Sequence, residues 1–328
     1  MKPLHALFTR TSVALGIAMG AAGIVRAAEP PALSDFATGD GAYYTTLGSP
    51  VADPYFINKS FIIAMQAAAP LQTEFVQWLK WLLPKQRKDG GFDRFCLEAD
   101  KTWHSCMAAD ADDSTAATTI QMLNMALQRA WIPADQQPAA NQAIAASQRL
   151  LASLRNPQTQ LYRVFPHTDL CYLMDNVEVY EALRSDARAT WQANQLAAAI
   201  RQQFWTGRQW KPAIPEYAQV QFYPHTLASA YLWNTGILPV KESDSATVQW
   251  LAQHRDTWLA RSGDHYAWGL VAWNMRHTAP IQAACWRASL RPFQEKIGWT
   301  VLDAMVDLSL AHLGIAKQCA SALPIAAR

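Results

Sequence analysis

Seven acidic residues crowd one irregular stretch: Asp89, Asp93, Glu98, Asp100, Asp110, Asp112 and Asp113. The last three run straight into a helical pattern. Capping explains one acid there, because a carboxylate satisfies free N–H groups and opposes the helix dipole. It does not explain three. Crowded carboxylates repel, and the repulsion raises at least one pKa. One acid then keeps its proton near neutral pH while a neighbour stays charged, which is the equipment of acid–base catalysis. A second pair, Asp175 and Glu178, stands three residues apart and fits a capping box. Glu178 lies one turn into its helix, where it can point inward.

Aromatic and polar residues surround both groups. Trp103 and His104 follow the first acids. Tyr162, Arg163, His167 and Tyr172 precede Asp175. Trp210, Glu216, Tyr217, Tyr223 and His225 come next, then Asp264, His265 and Trp268, then Lys296 and Trp299. A single Trp is usually core, but 14 in one chain suggest a large core, a ring-stacking cleft, or both. Apolar pyranose faces stack on indoles while acids and amides bind hydroxyls. The expected ligand is therefore an oligo- or polysaccharide, bound by Lys59, Trp103, His104, Asp110, Tyr162, Tyr223, His225 and Trp268. Neither HExxH nor HxH occurs, so no metal or other cofactor is expected. No Gly-rich phosphate loop and no basic stripe offers itself to a nucleotide or nucleic acid.

The elements that must position these groups are helical almost throughout, since apolar residues recur at three and four. Helices are predicted over 55–69, 70–83, 113–131, 135–154, 176–183 and onward to 204, 225–234, 244–260, 265–277, a stretch after Pro280, and 299–313. The connections 84–112, 155–175 and 206–224 are long, and those between them are short. Antiparallel helices in series place alternate connections at opposite ends, so the long loops gather on one face. Asp112, Asp113, Asp175, His225 and Asp264 should share that face. Eleven or twelve helices in this order fit an all-α ring of six hairpins, an (α/α)6 toroid, with a cleft at the long-loop end. Two separate bundles would need a linker, and no Gly/Ser/Pro-rich one is present.

The 328 residues are 51% hydrophobic and 16% charged, the balance of a folded chain. Residues 1–27 read as a secretory signal: Lys2 and Arg10, an apolar run from Ser12 to Val25, and small residues at Val25 and Ala27. The domain is then 28–328, in the periplasm or secreted, with no membrane span after cleavage. Without Lys2, Arg10 and Arg26 the chain holds 25 basic against 26 acidic residues, no footprint for nucleic acid or anionic lipid. An oxidising compartment permits disulfides, and Cys96 with Cys106 is the best candidate pair among five cysteines.

The segments DADDSTAAT and CYLMDNVEVYEAL resemble those of exported bacterial members of the six-hairpin toroid glycosidase superfamily. That resemblance implies the toroid and cleavage of a glycosidic bond between two carboxyls. Asp112 or Asp113 would stand on one side and Asp175 or Glu178 on the other. Locally, QRKDGGF (Gln86 to Phe92) resembles the QxxDGG repeats of terpene cyclases. Asp110-Ala111-Asp112-Asp113 resembles their DxDD acid, which would make Asp112 the proton donor. The cyclase pattern continues DDTA where this chain has DDSTA, and QxxDGG occurs once. The leading expectation is a glycoside hydrolase. The alternatives are a glycan-binding or polysaccharide-assembly protein on the same fold, and a cyclase.

Overall fold

Helix starts are set by small local devices. Asp53 accepts a hydrogen bond from the Tyr55 amide at 3.0 Å and Pro54 follows at the first helical position, so α1 runs Pro54–Gln66. Thr300 and Asp303 form a reciprocal capping box that opens the last helix. The computed structural model describes residues 32–216, 219–290 and 298–319. The expected signal at 1–27, Tyr217 and Lys296 lie outside the described residues.

After α1 come α2 (Gln72–Leu82), α3 (Asp112–Gln128), α4 (Gln137–Leu154), α5 (Leu173–Arg184), α6 (Thr190–Phe204), α7 (Val240–Ala260), α8 (Gly269–Met275), α9 (Pro280–Ser289) and α10 (Val301–His312). α1 packs on α3, α3 on α5, α5 on the short helical turn Ala228–Leu232, that turn on α8, α8 on α10, and α10 back on α1. Six inner elements thus close a ring. α1 is buried on nearly every face from Ile57 to Met65, as a helix inside a larger fold must be. The outer helices bury one side only. α4 packs on α3, α6 on α5 and α9 on α8. α2 lies against α1 through Phe75 on Phe61 and the Trp78 indole N–H donated to Asn58 Oδ1. The chain is an all-α toroid of helical hairpins.

Two inner elements are shorter than the periodicity predicts. The stretch 225–234 is no continuous helix. Pro224 forces Tyr223 out of helical geometry (φ −96°, ψ 131°), leaving the turn Phe222–Thr226 and then Ala228–Leu232. The predicted 265–277 shrinks to Gly269–Met275. Trp268 sits in the left-handed region (φ 50°), and the Gly269 amide donates to Asp303 Oδ1 at 2.7 Å. A Cβ on Gly269 would approach that oxygen and the Trp286 ring to 2.9 Å, so the α8–α10 contact needs glycine.

The first long loop is more ordered than its sequence suggests. β1 (Val51–Ala52), β2 (Arg94–Leu97) and β3 (Trp103–Met107) form an antiparallel sheet in that order. Cys96 and Cys106 are bridged across it with Cα atoms 5.7 Å apart, as expected. A second disulfide, Cys285–Cys319, was not foreseen, and Cys171 is a buried free thiol. Replacing Cys96 and Cys106 by Ser should cost about 2–3 kcal/mol from the ten-residue separation in the chain-entropy picture. Urea unfolding of the oxidised parent and the double variant measures it.

The QRKDGG turn is a buttress. Gln86 Nε2 donates to Gly90 O, Ala143 O and Ser147 Oγ, tying the turn to α4. Gly90 has φ 97°, and a Cβ there would meet Ala146 O at 2.2 Å. Both observations account for the motif by packing.

Candidate active site

The inner helices all present their N-terminal ends to one cavity of about 670 Å³. α1 contributes Asp53, Tyr55 and Phe56. The start of α3 contributes Asp110, Ala111, Ser114 and Thr115. α5 and the residue before it contribute Tyr172, Met174 and Asp175. α8 gives Leu270, α10 gives Asp303, and the segments between them give Tyr223, Tyr231, Asp264, Tyr266 and Trp268. Loop parity therefore places the acids of α3 and α5 at the same end. His225 belongs to the same turn as Tyr223, where its Nδ1 accepts the Gln221 amide at 3.2 Å.

At the floor, Asp113 and Asp175 form a pair. Asp113 is 0% exposed and Asp175 is buried, yet Asp175 lines the cavity. Burial raises both carboxyls far above the ordinary range, and each carboxyl's contact with acidic neighbours adds to it. Among the described residues, Oδ2 of each finds no donor. The two carboxyls are buried beside each other and interact, so one proton shared between them relieves their repulsion and supplies the missing donor. Two buried carboxyls sharing a proton are a proton store.

Glu178 is not across the cavity from this pair. It lies one turn below Asp175, 1% exposed, where Tyr55 Oη donates to it at 2.9 Å and Lys59 Nζ pairs with it at 3.0 Å. Lys59 also reaches Glu181 at 3.4 Å. Lys59 was expected to hold sugar hydroxyls, but it is sealed beneath the floor as a counter-ion. Its charge is favoured because it faces two carboxylates. Glu178 is pushed up by burial despite Lys59, since it shares one ammonium with Glu181.

Asp112 departs from its expected role. It does not line the cavity. Its carboxylate meets the Arg87 guanidinium at 2.7 Å, and its amide donates to Val164 O. Arg87 also holds Asp89 and Asp93, so this side chain gathers the first acidic cluster outside the cavity. The cyclase role for Asp112 loses its geometry, because that acid must face the enclosed substrate. Asp110 does stand at the rim, with its side chain 82% exposed and paired with Arg94. Arg94 also clamps Asp53 at 2.7 Å, joining the β-sheet to the starts of α1 and α3.

Besides Lys59, three more expected ligand residues lie elsewhere. The hairpin β2–β3 folds over α2, so Trp103 packs edge-on against Trp81 and donates its indole N–H to Asp40. His104 is on the outer surface, 3.4 Å from Glu98. Tyr162 is core, and its backbone is clipped to the Asn176 amide. Tyr223 and Trp268 do line the cavity, stacked with ring centroids 5.0 Å apart and planes 15° apart. Asp264 accepts the Trp268 indole N–H at 2.7 and 2.8 Å and the Tyr266 amide at 3.0 Å, which fixes this aromatic wall.

The residues missed were Asp53, Tyr55, Tyr231 and Asp303. Two of them obey a rule already in the sequence: an acid opens α1, α3, α5 and α10 alike. Applying the helix-start pattern to every inner helix would have found Asp53 and Asp303. Among the described residues no cluster of His, Cys, Asp and Glu could hold a metal ion, and no helix is long and apolar enough to cross a membrane.

No protein-family model and no curated protein sequence matches the chain. Solved structures do. A reducing end xylose-releasing exo-oligoxylanase matches with TM-score 0.56 and 15% identity, over 85% of this chain and 84% of that one. An alpha-amylase from Clostridium perfringens matches with TM-score 0.57 and 12% identity, over 85% and 94%. Rex8A from Paenibacillus barcinonensis, complexed with xylose, matches with TM-score 0.52 and 13% identity, over 86% and 89%. At these identities the likeness is one of fold: the chain has the helical toroid of these glycoside hydrolases.

Proposed function

We propose that the chain is an exported glycoside hydrolase acting on an oligo- or polysaccharide, with Asp175 as the proton donor. The observation that carries this reading is the Asp113–Asp175 pair, which opens onto the aromatic-walled cavity through Asp175 alone. Hydrolysis needs a proton for the leaving oxygen and a carboxylate that activates water. Asp175 gives the proton that it shares with Asp113 to the glycosidic oxygen as the bond to the anomeric carbon breaks. Until that step the repulsion from Asp113 behind it keeps the proton in the pair. Asp110, exposed at the rim, takes a proton from the water that attacks the anomeric carbon. The Tyr223–Trp268 stack offers a face for a pyranose ring. The named activities of the fold's neighbours, an oligoxylanase and an amylase, support the same substrate class. The signal-like residues 1–27 and the two disulfides support a periplasmic or secreted location.

The test is a panel of bacterial and plant polysaccharides and their oligomers, incubated with the mature protein and read as new reducing ends. Cleavage of at least one, lost in Asp175→Asn, is the expected result. Binding without cleavage by the parent would replace this reading with the glycan-binding alternative.

A further inference from the structure

We propose that Trp205, backed by Trp210, is a second sugar-binding platform that holds a polysaccharide chain where it leaves the cavity. The proposal rests on the glycan reading of the cavity and deepens it, since it selects long chains over short ones.

Trp205 and Trp210 stand opposite each other across a bridged turn at the end of α6, ring centroids 5.0 Å apart. They differ in how they are held. Trp210 packs against the hydrophobic core, whereas Trp205 leans on Trp210 and stays 43% exposed. The turn between them is fixed before any ligand arrives. The Thr206 amide and hydroxyl both donate to Gln209 O, the Gln209 amide returns to Thr206 Oγ1, and the Lys211 amide donates to Phe204 O. An aromatic held this way loses little freedom on binding. Exposed Arg208 and Gln209 beside it supply donors for hydroxyls.

The turn is also placed correctly. It leads through Lys211 and Pro212 into β5 (Ala213–Ile214), which pairs antiparallel with β4 (Cys171–Tyr172). Tyr172, opposite Ala213, lines the cavity. Two residues lie between Trp210 and Ala213, a reach of at most about 10 Å over three backbone steps. A chain emerging past Tyr172 would therefore need only a short span to reach the Trp210 backbone and the Trp205 ring packed beyond it, whereas an oligosaccharide confined to the cavity would not extend that far. The everyday alternative is a cross-strand Trp pair that merely staples its hairpin. A staple needs both rings in contact and needs no exposed face toward solvent.

The experiment uses native gels containing soluble xylan, β-glucan or amylose, with the parent, Trp205→Ala and Trp205→Tyr run side by side. Thermal melting is read in parallel. The expected result is retardation of the parent by the polymer that it cleaves. Trp205→Ala should lose that retardation and show a KM on the polymer roughly ten-fold higher, less than the full gain from ideally linked binding sites. Its kcat should hold, as should cleavage of an oligomer short enough to stay in the cavity. Trp205→Tyr should recover much of the retention. Retardation of Trp205→Ala equal to the parent overturns the platform and leaves the cavity reading standing. So does a dimeric parent that Trp205→Ala makes monomeric in light scattering, which would assign the patch to a second copy. Polymer retention that needs Trp205, without cleavage, keeps the platform and removes the hydrolase. A parent neither retarded by nor active on any polymer removes both.

Discussion

Asp175→Asn is expected to lower kcat by roughly 10²–10⁴-fold, the usual contribution of a positioned acid or base. Asn keeps the shape of the side chain and cannot deliver the proton. The stability of the variant should move the other way. Folding raises both members of the Asp113–Asp175 pair above the ordinary 3.8. Above that pH the native state binds more protons than the unfolded chain, so stability falls as pH rises until the folded pair has titrated. Asn removes one member from this titration and ends the repulsion on the other. The melting temperature of Asp175→Asn at neutral pH should therefore equal or exceed that of the parent, and its decline from acid to neutral pH should be shallower. Asp112→Asn is the control. Asp112 is the first residue of α3, outside the cavity, and its carboxylate is tied to Arg87, so the change weakens that tie and the reaction should persist. Full activity in Asp175→Asn would remove the pair from the chemistry. A melting temperature that collapses would mean that the pair holds the fold together instead.

The second large effect is expected at Lys59→Met. Its ammonium is enclosed and opposes Glu178, itself 1% exposed, and Glu181. Removing one partner of a buried ion pair leaves an uncompensated charge and costs about 3–5 kcal/mol. Met fills a similar volume, so the loss measures charge more than packing. Lys59→Met with Glu178→Gln should regain much of it, because Gln needs no counter-ion and still accepts from Tyr55 Oη. Urea unfolding of the two single variants and the double variant forms a closed cycle. A double variant as unstable as the sum of both singles would show that the pair contributes no coupling.

The arrangement of hairpins was legible from loop lengths alone, because alternate connections in a series of antiparallel helices must lie at opposite ends. That argument brought Asp113 and Asp175 together without naming the tertiary contact. It did not distinguish Asp112 from Asp113. Neighbours on a helix point about 100° apart, following 3.6 residues per turn, and the sequence does not state the rotation of α3 about its axis. Arg87 settles it by drawing Asp112 outward. Trp103 and His104 were placed near the cavity because they lie in the long connection 84–112, which loop parity assigns to the cleft face. In the structure their stretch pairs as β2–β3 and is carried over α2 by the Trp81–Trp103 contact. Glu178 was placed on the correct helix, and only the presence of Lys59 on α1 turns it from a reacting group into a paired one.

The closed ring has a consequence for how the chain acquires its shape. α1 packs on α10, and the seam is stitched by the Thr46–Thr300 bridge and the Val301 amide donated to Thr45 O. The two sides of that seam are separated by most of the sequence. Contacts so remote along the chain carry a loop-closure entropy cost before they stabilise anything, which slows folding. During synthesis the bare flank of α1 waits for α10, the last helix among the described residues. A nascent chain stalled before residue 301 therefore exposes the apolar flank of α1 that α10 covers in the folded ring.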